Sequence, residues 1–239
     1  MTRIMLLAFL LVCSLATGES AKPVVNLKSM RDRNEVESLI KGAKGMPPQR
    51  RIEFISKYLL GRKYHPETRT RIKKQHAPKP AKREANNEKP LSVEFLRSNL
   101  TYLDCMTYVE HVLAMAASQK ASYTEFLLRL IDVMFDAGGK PLMNHHRNHF
   151  TSYWGVVNER KGYLTDIARH HPKALSRGLY LNRVGNNRTY YIEDRFMIAA
   201  EPSLMWYFPV AAVLDGSAPL QSGDIVAMVT DKEGLDVTH

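Results

Sequence analysis

Cysteine is scarce in this sequence of 239 residues, which holds only Cys13 and Cys105. Cys13 falls in an N-terminal segment that we expect to be cleaved off, which excludes a disulfide within the mature chain. Exported domains usually use cysteines in pairs, so a lone thiol in an oxidising compartment calls for a special role. The alternative is a small buried apolar side chain, which free cysteine often is.

Long apolar runs are equally rare. The longest lies between Arg3 and Cys13 and is followed by small residues, which is the pattern of a secretory signal peptide. We expect residues 1–18 to be this signal and residues 19–239 to form a single domain. No later run reaches the ~18 apolar residues of a membrane span, so the mature chain is predicted to be periplasmic without stable membrane insertion. Lipid attachment at Cys13 is the alternative, although Val12 is larger than the residue that such processing prefers.

Acidic residues are outnumbered, and the formal net charge is +10. Residues 65–90 contain eight Lys or Arg against three Glu, together with four prolines and few apolar residues. This composition predicts an exposed basic loop. It suits an anionic envelope component, whereas the aromatics that would stack on bases are absent, so nucleic acid is not an expected partner. A solvated loop without a dedicated ligand is the alternative.

The segment DCMTYVEHVLAMA, which begins at Asp104, has helical periodicity. Asp104 is a favourable N-cap residue, and Cys105 would then occupy the first turn. Unpaired N–H groups and the positive end of the helix dipole favour the thiolate at that position. The segment therefore predicts a nucleophilic cysteine. Its apolar stripe consists of Met106, Val109, Leu113, Ala116 and Ala117.

Periodicity and turn residues predict further elements along the chain. We expect helices over residues 34–44, from Pro47 or Pro48 to a stop at Gly61, and over 124–135. Strands are predicted over 189–193 and 224–229, with Asp224 fixing the turn into its strand. A hairpin would join the second of these to a strand over 235–239.

The segment NHHRNHFTSYWGVVN, residues 144–158, concentrates polar and aromatic side chains. His145, His146 and His149 invite a metal interpretation, but the HExxH arrangement and accompanying cysteine or carboxylate ligands are missing. We therefore predict neither a metal nor another cofactor. Tyr153 and Trp154 could stack on a sugar or belong to the core.

Four strings in order, YLDCMTYVEHVLAMA, HHRNHFTSYW, SGDIVAM and GLDVTH, carry a resemblance to a known family. They resemble the amidase-like family within the NlpC-type, papain-like cysteine hydrolases of bacterial cell walls. ISKYLLGRKY, residues 55–64, resembles the family's segment before its cysteine motif. The resemblance implies an α+β fold in which the cysteine helix packs on a small antiparallel sheet.

The resemblance also implies roles for individual residues. Cys105 matches the family nucleophile and His239 its general base, while Glu110 could satisfy a buried polar contact. Asp104 could cap the helix or face the pocket. The residues expected to bind substrate are Asp104, Tyr108, His149, Tyr153, Trp154 and Asp236.

The activity implied is cleavage of the N-acetylmuramoyl-L-alanine amide bond of muropeptides, with a preference for 1,6-anhydro-muramic ends. Two alternatives stay open: an endopeptidase cutting between D-glutamate and the diamino acid, and a non-catalytic peptidoglycan-binding module. The family continues beyond the position of His239 with further strands and a second histidine, so we expect this chain to be truncated at its C-terminus. The sequence makes no prediction of oligomeric state.

Overall fold

A computed structural model describes part of the chain. The described residues are 2–4, 30–65, 99–136, 147–148, 151–181, 183–184, 188–192, 196–198 and 201–228. Several predicted features lie outside them: His145, His146, His149, Asp236, His239, most of the signal segment and of the basic loop, and the strand over 235–239.

The described helices are α1 (Met30–Gly42), α2 (Pro48–Leu59), α3 (Cys105–Ala117), α4 (Tyr123–Met134), α5 (Thr151–Arg160) and α6 (Val210–Leu214). The first four confirm the predicted helices to within a few residues at each end. Pro48 begins α2 as predicted, and Gly61 follows it at a φ of +80°, a left-handed conformation that glycine adopts without strain. The sequence did not predict α5.

The main core is the cluster of buried apolar side chains that α1 to α5 and their flanking residues contribute, and helix α3 lies at its centre. It packs chiefly against α4 and α2, contacts α1, and touches the short strand before it. Most of its side chains are buried on every side, as expected of a helix enclosed by other elements. Among the described residues its main neighbours are other helices, and packing of the cysteine helix on a small antiparallel sheet stays a prediction.

The described strands form small sheets. They are β1 (Thr2–Ile4), β2 (Lys63–Tyr64), β3 (Tyr102–Leu103), β4 (Leu175–Leu181), β5 (Arg183–Val184), β6 (Arg188–Ile192), β7 (Phe196–Ile198), β8 (Glu201–Tyr207) and β9 (Ile225–Ala227). Pairing is parallel for β2–β3 and antiparallel for β1–β9, β4–β8 and β5–β6–β7. Strands β6 and β9 confirm the two predicted segments. Strand β1 lies within the predicted signal segment. Cleavage of that segment after residue 18 stays a prediction.

The turn before β9 is closed by Asp224, as the sequence predicts. Its Oδ2 accepts a hydrogen bond from the Gln221 N–H at 2.6 Å, and its own N–H donates to the Gln221 carbonyl at 3.2 Å. Gly223, inside the turn, has a φ of +93°. A Cβ atom there would lie 2.5 Å from the Gln49 carbonyl oxygen, so the turn packs directly on the first turn of α2.

Among the helices that the structure describes, none combines the length and apolar character needed to cross a membrane.

Candidate active site around Cys105

Cys105 is the first residue of α3, and its side chain is partly exposed. The helix start is held by a capping box. Asp104 Oδ1 accepts the Thr107 N–H at 2.7 Å, and Thr107 Oγ1 accepts the Asp104 N–H at 2.8 Å. Both capping side chains are buried, so the predicted N-cap is confirmed and the cysteine is fixed at the positive end of the helix.

Tyr64 lies against Cys105. Strand β2 pairs with β3 so that Tyr64 is opposite Leu103, two residues before the cysteine. A thiolate at Cys105 is the main cause that raises the pKa of Tyr64, followed by slight desolvation, the Asp104 carboxylate and a side-chain hydrogen bond with Cys105. The tyrosine therefore stays protonated and can donate its hydroxyl hydrogen to the sulfur. The sequence alone indicates no role for Tyr64, although it ends the segment that resembles the family.

Tyr108, predicted to bind substrate, links two helices. Its hydroxyl donates to the Ser56 carbonyl in α2 at 2.7 Å, and its ring packs against the main core. Burial raises the pKa of this phenol, with the hydrogen bond to Ser56 opposing the shift. The tyrosine therefore has a structural role between α3 and α2, and contact with substrate stays a prediction.

A buried ion pair joins α3 to the histidine-rich motif. Glu110 is fully buried and Arg147 is 4% exposed. Arg147 Nη2 donates to both Glu110 carboxylate oxygens, at 2.9 and 2.8 Å. The guanidinium also lies over the Phe135 ring at 5.5 Å. The expectation of a buried polar contact for Glu110 is confirmed, and its partner is Arg147, to which the sequence pattern assigned no role.

Asn148, next to Arg147, ties the same segment to the end of α4 with two hydrogen bonds. Its side-chain nitrogen donates to the Val133 carbonyl at 3.1 Å, and its backbone N–H donates to the Met134 carbonyl at 2.9 Å. Residues 147–148 are therefore tied to both α3 and the end of α4. The chain position just before His149 is fixed in this way, while His149 itself lies outside the described residues.

The neighbouring aromatic residues Tyr153 and Trp154 of α5 lie in different environments. Trp154 is 1% exposed and belongs to the main core, which favours the core alternative that the sequence left open. Tyr153 is half-buried, so its contact with a sugar stays a prediction. Asn158, one helical turn after Trp154, donates its side-chain N–H to the Val133 carbonyl at 3.0 Å and anchors α5 to α4.

His111 is buried on the inner side of α3. Its Nδ1 lies 2.7 Å from the Thr107 carbonyl oxygen, so this nitrogen carries the hydrogen and donates. Its Nε2 is buried with no hydrogen-bond partner among the residues that the structure describes. Burial lowers the pKa of His111, outweighing the opposing hydrogen bond and the nearby carboxylates, so the ring is neutral near pH 7.

The described part of the chain contains no cluster of candidate metal ligands. No group of three or more His, Cys, Asp or Glu side chains lies close enough there to hold an ion. The described groups at Cys105 are a sulfur atom, a tyrosine hydroxyl and the positive end of a helix. Together they could support attack of a sulfur nucleophile on a carbonyl carbon.

The fold and the site thus define an α+β protein with a partly exposed cysteine at a helix start. Residues 54–239 match the family described as AmiA-like, N-acetylmuramoyl-L-alanine amidase-like. The chain therefore belongs to this family of cell-wall hydrolases, which act on peptidoglycan-derived material.

Two solved structures are similar to this chain. An N-acetylmuramoyl-L-alanine amidase from Bacteroides uniformis ATCC 8492 is 22% identical with a TM-score of 0.56, and the match covers 80% of this chain and 78% of that one. A protein from Legionella pneumophila str. Philadelphia 1 is 21% identical with a TM-score of 0.61, covering 87% of this chain and 78% of that one. At these identities the likeness concerns the fold alone. No protein with a curated description matches the chain.

Proposed function

We propose that this protein is a cysteine-dependent N-acetylmuramoyl-L-alanine amidase acting on muropeptides. The observation that carries the proposal is the environment of Cys105, a partly exposed thiol on the first residue of a capped helix in contact with Tyr64. Such a position favours the thiolate. Family membership supplies the substrate class. Export by the predicted signal peptide would bring the enzyme to the periplasm, where muropeptides are released.

In the proposed reaction, the Cys105 thiolate attacks the carbonyl carbon of the lactyl group of N-acetylmuramic acid. His239, proposed as the general base from the family resemblance alone, takes the thiol proton and passes it to the departing amine. The C–N bond to L-alanine breaks, leaving a thioester on the sulfur. Water then hydrolyses the thioester with His239 again as base, which releases the lactyl carboxylate and restores the thiol.

Two donors can stabilise the negative charge that develops on the carbonyl oxygen. The backbone N–H of Cys105 is at the first position of a helix, where no intrahelical acceptor exists. The Tyr64 hydroxyl is the second donor: it donates to the sulfur before attack and would turn to the carbonyl oxygen as the negative charge moves there. Donors already oriented towards this charge lower the barrier to attack.

The test uses a purified disaccharide-peptide muropeptide and the mature chain. We expect the protein to release the stem peptide with a free L-alanine amino group, identified by mass spectrometry, and Cys105→Ala to abolish release while retaining the thermal unfolding midpoint. Cys105→Ser is the matched control for size, and a loss of about 100-fold or more is expected because the neutral hydroxyl is a much weaker nucleophile. Release of stem peptide by Cys105→Ala at the wild-type rate would exclude this mechanism.

The same assay separates the remaining alternatives. Endopeptidase cleavage between D-glutamate and the diamino acid gives fragments of different mass from those of the amidase. A non-catalytic module would sediment with purified sacculi but release nothing. Comparing muropeptides with 1,6-anhydro and reducing ends under identical conditions tests the proposed glycan-end preference.

A further inference from the structure

A cavity lined by basic side chains lies at the opposite end of α3 from Cys105. It has a volume of about 630 Å³ and opens between the end of α1, the start of α2 and the loop after α3. Since an α-helix rises 1.5 Å per residue, the length of α3 puts this cavity about 20 Å from the cysteine. Its lining residues are Ile40, Lys41, Lys44, Gly45, Arg51, Gln119, Lys120 and Ala121.

The lining is unusual in its charge. It contains four cationic side chains and no carboxylate. Lys41, Lys44 and Lys120 are exposed and form no ion pair within the part of the chain that the structure describes. Positive charges collected in a concave surface reinforce one another and raise the local concentration of anions. The cavity therefore has the electrostatic character of an anion-binding site.

Arg51 adds an incompletely compensated charge. Its Nη2 donates to the Ser118 carbonyl oxygen, while its Nε is buried with no acceptor among the described residues. Burial lowers the pKa of this guanidinium, and the charge of Glu125 only partly opposes the shift. An anion in the cavity would offset the cost of burying this charge.

Glu125 lies behind the cavity wall rather than in its lining, and its charge offsets only part of the four positive charges. Its two carboxylate oxygens accept the backbone N–H groups of Gln119 and Lys120 at 2.8 and 2.9 Å. The glutamate thereby holds the loop after α3 in place, and with it the Lys120 side chain at the cavity. The cavity wall is therefore organised by hydrogen bonds, although the lysines themselves are exposed.

We propose that this cavity is an accessory binding site for an oligoanion with closely spaced phosphate or carboxylate groups. Four cations without a carboxylate call for a ligand of more than one negative charge, and the volume is in the range of small-molecule sites. The planar guanidinium of Arg51 suits both kinds of oxyanion. The site does not depend on the chemistry at Cys105, since no lining residue belongs to that centre.

Calorimetric titration of the mature protein with pyrophosphate and with citrate tests the proposal. We expect at least one probe to bind, with affinity that falls as salt is raised. Stronger binding of pyrophosphate would identify phosphate as the ligand class, and stronger binding of citrate would identify carboxylate. The double variant Lys41→Gln and Lys44→Gln should weaken binding about tenfold, because each exposed charge contact contributes a few-fold.

Lys173→Gln is the matched control, since Lys173 is exposed and lies outside the cavity lining. It should change probe affinity less than twofold. The double variant should cleave a small soluble muropeptide at the wild-type rate, so failure here is distinguishable from failure of the amidase proposal. Absence of binding by both probes, or equal binding by the double variant and the wild type, would overturn the site.

Discussion

At the scale of single residues, Tyr64 is the side chain whose contribution to catalysis is most directly testable. The Tyr64→Phe variant removes the hydroxyl and keeps the ring. We expect kcat to fall about 100-fold with little change in KM, the magnitude seen when one donor to a developing oxyanion is removed. Because Tyr64 is 65% exposed, the unfolding midpoint should stay close to that of the wild type.

Tyr58→Phe is the control for this variant, since Tyr58 is also exposed and its ring, in α2, lies against the Arg62 guanidinium. It should leave kcat unchanged. Equal kcat values for Tyr64→Phe and the wild type would remove Tyr64 from the proposed mechanism without affecting the role of Cys105.

His111 makes the stability of the fold depend on pH. Burial lowers its pKa, so the folded protein binds a proton at this ring less readily than the unfolded chain does. The stabilising contribution is complete above the ordinary histidine pKa of about 6.5 and is lost as pH falls below that value. The free energy of unfolding should therefore decrease with acidification, by at most about 1.4 kcal/mol per pH unit from this group.

Urea denaturation between pH 8 and pH 5 measures this dependence. The comparison is with His111→Leu, which cannot bind a proton and should show a shallower decrease over the same interval. Identical slopes for the two proteins would show that His111 does not contribute.

Local patterns predicted Cys105 and Asp104 because capping and helix position depend on neighbouring residues. Tyr64 could not be found in the same way. It reaches the sulfur through a parallel strand pair between segments far apart in sequence, and two residues per strand leave almost no periodic signal. His239 and Asp236 lie outside the described residues, so their proposed roles remain predictions.

At the scale of elements, the ion pair between Glu110 and Arg147 fastens the segment before α5 to the cysteine helix. Glu110→Leu and Arg147→Met should each destabilise the protein by about 3–5 kcal/mol, because each leaves the other charge buried without its counterion. The double variant Glu110→Leu, Arg147→Met removes both charges and should recover most of this loss. Chemical denaturation of the four proteins completes the cycle.

Strictly additive losses in the double variant would mean that the pair is not coupled. The same four proteins can be assayed for amidase activity. A double variant that regains stability but not kcat would identify the pair as positioning residues for the site, whereas full recovery of both would assign it to stability alone.

Helix α5 shows the limit of sequence patterns at this scale. Its polar and aromatic residues suggested a ligand-binding segment, yet Trp154 and Val157 are buried and Asn158 bonds to α4. Glycine and β-branched residues within it lower its helical propensity, so packing against the core stabilises the helix. The four helices with clear apolar stripes or flanking stop signals were predicted because local and tertiary preferences agree there.

At the scale of the whole molecule, α1 belongs to the domain although it precedes the residues that match the family. It buries Val36, Leu39 and Ile40 in the main core, and Ala43, just after its end, is buried there as well. Glu37 Oε1 also accepts the Tyr123 N–H at the start of α4 at 2.9 Å, and Glu35 pairs with Arg62. The folding unit therefore extends towards the N-terminus beyond the matching region.

A chain beginning at residue 46 should lose about 5 kcal/mol or more of stability, because burial of each larger aliphatic side chain contributes roughly 1.5–3 kcal/mol. Since small domains have only about 5–15 kcal/mol in total, much of this shortened chain should be unfolded. Circular dichroism during thermal unfolding, with a chain beginning at residue 19 as control, measures the difference. Equal unfolding midpoints would place α1 outside the folding unit.

Gly223 limits which substitutions the turn before β9 can accept during evolution. No side chain larger than hydrogen fits between this position and the main chain of Gln49, and the left-handed backbone penalises other residues independently of space. A survey of all single substitutions should find position 223 nearly invariant. Neighbouring exposed sites such as Ser222 should accept many residues, so a strong constraint would fall on a surface loop rather than on the core.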